Sequence, residues 1–442
     1  MNIYDALDFA LNTALGTGID EVEVAASIER LTSAMIERDE VRLGKSQQFS
    51  PLGVRVLKGK SQGFATTNAL SKASIKRCVE EATAISRVSP PDNYNNIPAG
   101  TEVGSLDGIY DKSTRNVTPS DVVEKADSML DFTKSYDTRI KVDGGIFTVG
   151  EEEKLIRNSN GRMAKQLTTL SSWKLIGMAV DGSEVTSFDV AHGSHHFFSE
   201  ANPEESVREL CNMVISSLRA RKSESFKGTL IMSPEAFGDI FISPIMSAAC
   251  ALSVQKERSP LAGKIGQQLA TEMLTITDDG TRQEGSNACG FDREGTPCRR
   301  NRLLDKGFLT TYLQSCYTAA RDKTESTGNA SGSASSPPGN GPSNIVVEEG
   351  NQSLDSLYKE TSRGIIVNRF SGNVDSATGD FSGVVKGGSV IQNGEITNPV
   401  KETLIAGNVY QLLNSISGIS KVRKVMDNYI LPYVKVENVS VI

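Results

Sequence analysis

The chain has 442 residues, of which 38% are hydrophobic and 23% charged, and its formal net charge is −7. That length and balance exclude a globally disordered chain and predict about two domains of about 200 residues each. The acidic sign argues against broad binding to nucleic acid or to anionic membranes, both of which need a positive field.

No apolar run reaches the ~18 residues that span a bilayer. The N-terminal stretch MNIYDALDFALNTALG lacks a basic start and carries Asp5 and Asp8. It reads as an amphipathic helix rather than a signal peptide, so a cytoplasmic location is the expectation. Residues 21–66 alternate apolar and polar positions in part and predict a β-meander, with two short strands around Lys58-Gly59-Lys60. A helix is predicted over 71–88, with Ser71 as N-cap and Ile75, Val79, Ala82 and Ile85 at helical spacing, stopped by Pro90-Pro91. Another starts at Thr118-Pro119, where Asp121 can answer the cap. Residues 139–200 predict antiparallel strands joined by Asn-Gly and Asp-Gly turns. The strongest helix signal covers 203–220, with Asn202 as cap, Pro203 at its start, and Val207, Leu210, Cys211, Val214, Ile215 and Leu218 on one face.

The polar run RKSESFKG places a domain boundary near Ser223–Lys227. Beyond it, residues 233–257 predict a helix in which Ser243-Pro244 resembles a fresh N-cap and N1. Residues 324–344, TESTGNASGSASSPPGNGPSN, are almost purely small and polar, which predicts a mobile loop or one fixed by a partner. Strand signals follow to the C-terminus. The basic run Lys421-Val422-Arg423-Lys424 reads as a solvated face. Cys78, Cys211, Cys250, Cys289, Cys298 and Cys316 are widely spread without a CxxC pair, which predicts reduced, mostly buried thiols.

All three histidines fall in AHGSHH, residues 191–196. The flanks look extended, and on a strand His192 and His196 share a face while His195 points away. No carboxylate or cysteine accompanies them at a diagnostic metal spacing. A Ser-His-Asp triad would have to use one of the three, which residue order alone leaves open. There is no G-x-S-x-G elbow, no P-loop and no G-x-G-x-x-G fingerprint.

Three stretches carry a resemblance. TGDFSGVVKGGSVIQNGEITNPVKETLIAGN (378–408), EMLTITDDGT (272–281) with the segment after it, and GVRVLKGKSQGFATTN near the start together resemble the TldD/PmbA family, in order and along nearly the whole chain. The resemblance implies an α+β fold: an N-terminal domain, 1–224, mixing a sheet with helices, and a C-terminal, mostly β domain, 225–442, closed like a barrel with the helix of 233–257 packed against it. TldD-type members are zinc metallopeptidases with H-E-x-x-x-H on a helix before the D-D-G-T segment and a third ligand, a cysteine, near the C-terminus. Counted back from Asp278-Asp279-Gly280, those ligand positions fall near Ile242 to Met246, where no histidine stands, and the last cysteine is Cys316.

The expectation is therefore a PmbA/TldE-like, non-catalytic subunit. It would bind no cofactor itself, zinc residing on a TldD-type partner, and the complex would act on peptides or unfolded segments. The turn Thr378, Gly379, Asp380, Phe381, Ser382 and the segment 326–344 are candidate substrate or partner contacts, and a peptide could add as a strand to a sheet edge. Two alternatives stand: a stand-alone homodimeric binding or scaffold protein, and a peptidase with a displaced site at His192, His195 or His196. The family's older label, modulator of DNA gyrase, suggests a gyrase regulator, but no residue supports one.

Overall fold

The alternation in 21–66 becomes four antiparallel strands: β1 (Glu21–Glu37), β2 (Glu40–Phe49), β3 (Leu52–Lys58) and β4 (Ser61–Thr67). They belong to a computed structural model that describes residues 1–442, the side chain of Leu43 apart. After the short β5 (Glu102–Val103), two long strands, β6 (Ile140–Asn158) and β7 (Met163–Asp181), meet at the Asn160-Gly161 turn, and β8 (Glu184–Val185) and β9 (Asp189–His195) complete the first sheet. Its order is β4-β3-β1-β6-β7-β5. Strand β1 is long enough to pair with β3 over its first part and β2 over its second, while β8 and β9 lie beside β7.

Four helices cover one face of this sheet. They are α1 (Ile3–Leu15), α2 (Lys72–Val88), α3 (Pro119–Tyr136) and α4 (Glu204–Ser216). Because strand side chains alternate, the even positions of β1 point toward them: Val22, Val24 and Ala26 under α1 and α2, Ala34 and Ile36 under α3 and α4. The predicted caps of α2 and α3 form. The Ser71 hydroxyl accepts from the Ser74 N–H, and Thr118 and Asp121 make a reciprocal capping box. Replacing Thr118 by alanine removes that box and is expected to lower stability by about 1 kcal/mol, seen as a shift in the urea midpoint. Three details differ from expectation. Ile85 is exposed, Pro203 rather than Asn202 stands at the N-cap of α4, and α4 ends at Ser216, short of the predicted 220.

The second sheet starts at β10 (Phe226–Met232). It continues through β11 (Ile276–Asp279), β12 (Arg300–Asp305), β13 (Phe308–Leu309), β14 (Ile345–Val347), β15 (Arg363–Val367), β16 (Arg369–Val374) and β17 (Asp380–Lys386). It ends with β18 (Gly388–Gln392), β19 (Glu395–Val400), β20 (Leu404–Asn408), β21 (Ile416–Met426) and β22 (Tyr429–Val441). Strand β22 is its spine, pairing with β14, β10, β21 and β20 along its length.

The fold is mixed α+β, but the expected closed barrel is not formed. The main path runs openly from β13 to β19. Strand β13 offers only two residues, and β19 carries Pro399, which has no N–H to give a further ladder. One side of the sheet instead packs against the predicted helix of 233–257 in a shared apolar core. That helix is segmented into α5 (Pro234–Phe237), a π-helical turn (Gly238–Ile242), α6 (Ser243–Ala249) and α7 (Ala251–Gln255). Ser243 is not the fresh cap expected of it. Its backbone is helical, and its N–H reaches the Gly238 carbonyl across the π turn. Pro244 explains the turn: a proline inside a helix lacks its N–H and crowds the carbonyl four residues back, and the wider turn accommodates both. No helix is long and apolar enough to cross a membrane among the described residues.

Candidate functional site

The family-implied ligand positions lie on this segmented helix. Ile240, Phe241, Ile242, Ile245 and Met246 are at most 2% exposed and pack with Phe237, Phe381 and Leu431 in one apolar core. Phe241 stacks obliquely on Phe237 and Phe381. The sulfur atoms of Met246 and Cys250 are the nearest soft donors, and the Cys250 thiol is turned to the Met246 carbonyl. This lining does not fit a zinc ion, which takes imidazole, thiolate or carboxylate ligands, so no chemical step is routed through one in this chain. More widely, no three His, Cys, Asp or Glu side chains are grouped to share a metal ion among the described residues.

The histidines separate. His192 Nδ1 lies 3.1 Å from Asp427 Oδ2, across the junction of the two sheets. His196 is buried beyond the end of β9, with Nδ1 2.7 Å from the Thr169 carbonyl and Nε2 3.2 Å from that of Gly285. His195 turns the other way, its Nε2 3.4 Å from Glu200. His192 borders a small polar pocket of about 200 Å³ that also meets Asp189, Glu209, Glu235 and Lys424. Burial pushes the Glu235 carboxyl up to about 7; His192 opposes this, and Asp189 and Asp239 add to it. The hydrogen bond to Asp427 raises His192 above the ordinary histidine range, against the effect of burial.

A raised histidine stabilises the fold fully below its unfolded pKa of about 6.5, and that contribution is lost as pH rises through the folded value. Wild type is therefore expected to exceed His192→Gln in stability by no more than about 1 kcal/mol at pH 5.5, as suits a partly exposed pair. The gap should close as the solution is made alkaline, in urea titrations at stepped pH.

A concavity of about 540 Å³ lies on the first sheet's other face. Its floor is β1, β6 and β7, and its roof comes from residues 286–298 and 328–343. The roof therefore contains much of the Gly/Ser-rich segment. That segment has no regular secondary structure, yet the chain itself holds it in place. Buried Asp292 accepts from the N–H groups of Glu294, Thr296 and Ala330, each at 2.9 Å. Buried Asp278, from the DDGT motif, accepts from Asn329 Nδ2 and the Ser343 N–H, both at 2.6 Å. Arg293 Nε donates to the Ser333 carbonyl at 2.7 Å and Nη2 to that of Ser336 at 3.0 Å. A composition that cannot bury apolar surface is ordered here by buried carboxylates and a guanidinium from elsewhere in the chain.

A buried ionic set joins roof to floor. Glu23 on β1 binds Arg55 of β3 at 2.7 Å and Arg293 at 2.9 Å, and Arg55 also reaches Glu294 at 3.2 Å. Strand side chains of the floor add Glu29, Glu152 and Lys154. None of these charged residues was picked out in sequence. The only trace of the floor set was EEEK, 151–154, whose alternate members Glu152 and Lys154 share a strand face.

The turn at 378–382 lies elsewhere, and none of its residues lines the cavity. Thr378, Asp380 and Ser382 are exposed, whereas Gly379 is buried beside Tyr410 and Phe381 is 3% exposed in the core against Phe241 and Phe370. Asp375 accepts from the N–H groups of Ala377 and Thr378, so the turn closes by its own bonds. In the basic run, Lys424 is bonded to Glu209 and Arg423 to Glu349 at 2.9 Å, while Val422 is exposed. All six thiols are free, four of them buried.

An open, helix-filled C-terminal sheet joined through buried charges to a helix-backed N-terminal sheet defines a mixed α+β class. Family models match along it: PmbA/TldA metallopeptidase domain 1 over residues 22–86, the central domain over 112–218 and the C-terminal domain over 225–442. The chain belongs to this PmbA/TldD family. It is 27% identical over 419 residues to the metalloprotease PmbA of Escherichia coli O157:H7, covering 93% of this chain and 90% of that one. It is 26% identical to a metalloprotease of Methanothermobacter thermautotrophicus, over 91% and 88% of the two chains. The crystal structure of TldE from Thermococcus kodakarensis superposes with a TM-score of 0.92 over 99% of both chains, at 26% identity.

Proposed function

We propose that this chain is the non-catalytic subunit of a TldD/TldE-type zinc peptidase that acts on peptides or unfolded segments. One observation carries the reading: the helix on which the family's H-E-x-x-x-H is expected is filled here, from Ile240 to Met246, by side chains of the hydrophobic core. Such a helix has a packing role that ligands would disrupt, since burying an unpaired polar group in its place costs stability. The absence of any cysteine after Cys316 agrees with it. The catalytic zinc belongs, in this reading, to a TldD-type partner. This chain supplies the rest of the enclosure and peptide-contacting surface.

The test is reconstitution. The purified chain is mixed with a folded, zinc-loaded TldD-type subunit from the same source, and cleavage of an unstructured peptide is followed, with each chain alone as control. Cleavage that needs this chain in the mixture, with co-elution on a sizing column, is the expected result. Cleavage by this chain alone, abolished by a chelator, would overturn the reading. Silence without complex formation would favour the stand-alone homodimer.

A further inference from the structure

The cavity floor has an ordered chemistry that follows from strand register. Across β1, β6 and β7, Ser27 stands opposite Lys154; Glu29 opposite Glu152, and Glu152 opposite Thr168; Leu31 opposite Gly150, and Gly150 opposite Leu170. These residues all line the cavity. Directly opposed residues hold their Cβ atoms about 4.5–5.5 Å apart, and like charges there destabilise a sheet. Lys154 Nζ makes its ion pair with Glu152, at 3.1 Å. Glu29 accepts from the Ser27 hydroxyl at 3.1 Å, and no cation lies within ion-pair distance of it among the described residues. The three side chains therefore sum to one negative charge, in a half-buried place where a counter-charge interacts more strongly than in water.

The next row supplies shape. Gly150, between Leu31 and Leu170, lets the Leu31 side chain lie low over the strand, its Cδ2 2.9 Å from where a Cβ would stand, so this row is a flat apolar surface. Rows on one strand face are about 7 Å apart. A single ammonium at the glutamates with an apolar side chain directed one row along is the arrangement at the start of a peptide, where the α-ammonium and first side chain leave the same carbon.

We propose that this cavity binds the free amino terminus of a peptide whose first side chain is apolar. The α-ammonium sits between Glu29 and Glu152, and the side chain packs on the apolar surface of Leu31 and Leu170. The proposal rests on the peptidase-family reading only in taking the ligand to be a peptide, and it needs neither partner nor zinc.

The experiment uses the full chain alone. Binding of Leu-Ala-Ala-Ser carrying a fluorophore at its carboxyl end is measured by anisotropy, beside its N-acetylated form and Gly-Ala-Ala-Ser, for wild type and Glu29→Gln. Acetylation and Glu29→Gln are each expected to weaken binding about 10-fold or more, the loss of one charge-assisted hydrogen bond, and not to add to each other. Glycine in first place should also weaken it. The Glu29→Gln side chain is isosteric and half-exposed, and circular dichroism with the melting temperature checks that the variant is folded. Equal binding of free and acetylated peptides overturns the proposal. So does tight binding of an acetylated peptide bearing an internal lysine, or no binding by folded wild type at millimolar peptide. Failed reconstitution with a TldD-type subunit would leave this binding intact, and lost binding would leave reconstituted cleavage intact, so the two readings fail separately.

Discussion

Replacing Arg293 by alanine is expected to lower stability by about 3–5 kcal/mol, because it leaves a buried carboxylate short of a partner. Glu23 is fully buried, and its two oxygens are divided between Arg55 and Arg293. Removing Arg293 also strips the Ser336 carbonyl of its donor and the Ser333 carbonyl of its shortest one, so the roof segment loosens with the core pair. Unfolding of the first sheet can be followed by Trp173, the one tryptophan, whose indole N–H donates to the Ser206 hydroxyl in the core under α4. As a control, Arg302→Ala breaks an exposed pair with Glu348 and should change stability by no more than about 1 kcal/mol.

The pH dependence has a definite sign. Burial alone would raise the Glu23 carboxyl; Arg55 and Arg293 overcome it and hold the group below the usual carboxylate range. Its stabilisation is therefore present above the unfolded value of about 4.3 and is lost as pH falls through the folded one. The gap between wild type and Arg293→Ala should be widest at neutral pH and shrink in acid. A gap independent of pH would mean that Arg293 acts through packing alone.

That ionic set is invisible to any pattern of neighbouring residues. Features written in neighbouring residues were legible: the Thr118-x-x-Asp121 box, the Ser71 cap, the Asn160-Gly161 turn, and the alternation that buries Val22, Val24 and Ala26. Each depends on contacts a few residues apart. Glu23, Arg55 and Arg293 are charged residues scattered over both halves, and in sequence they look like ordinary surface. Only the crossing of β1 and β3 beneath the roof makes them a core. The order of the Gly/Ser-rich segment is hidden for the same reason: it comes from Asp278, Asp292 and Arg293, not from its own composition. Ser243-Pro244 was a local signal that tertiary packing overrode. Burial of both helix segments in the core of the second sheet is worth more than a clean restart, and a π turn absorbs the proline. The barrel came from resemblance rather than residues, and the two-residue β13 leaves that sheet open. The cavity floor was hardest to see, because Glu29, Glu152 and Gly150 become neighbours only once register is known.

Gly53→Val should act on the cavity more than on the fold. Gly53 sits on β3, where an added Cβ would lie 2.2 Å from the Ala334 carbonyl oxygen and 2.9 Å from the Phe64 ring. A carbonyl oxygen is backbone and cannot rotate aside, so the roof must lift. Ala334 packs there with Ala25, Ile156 and Phe291, a small cluster that fastens the roof to the first sheet. Overpacking of this kind costs about 1–3 kcal/mol. Because the strain falls on one irregular segment, it is expected to appear as local opening rather than global unfolding. Amide exchange across 326–344 should accelerate by about one to two powers of ten, the factor matching that energy, while β6 and β7 keep their protection. Gly104→Ala, where nothing lies within 4 Å of the new atom, should leave both unchanged. If Gly53→Val instead speeds exchange throughout β1, β3 and β6, the roof is part of the folding core and not a separable wall. Peptide binding would then be lost through unfolding, and the two causes could be told apart by whether Trp173 reports a native environment.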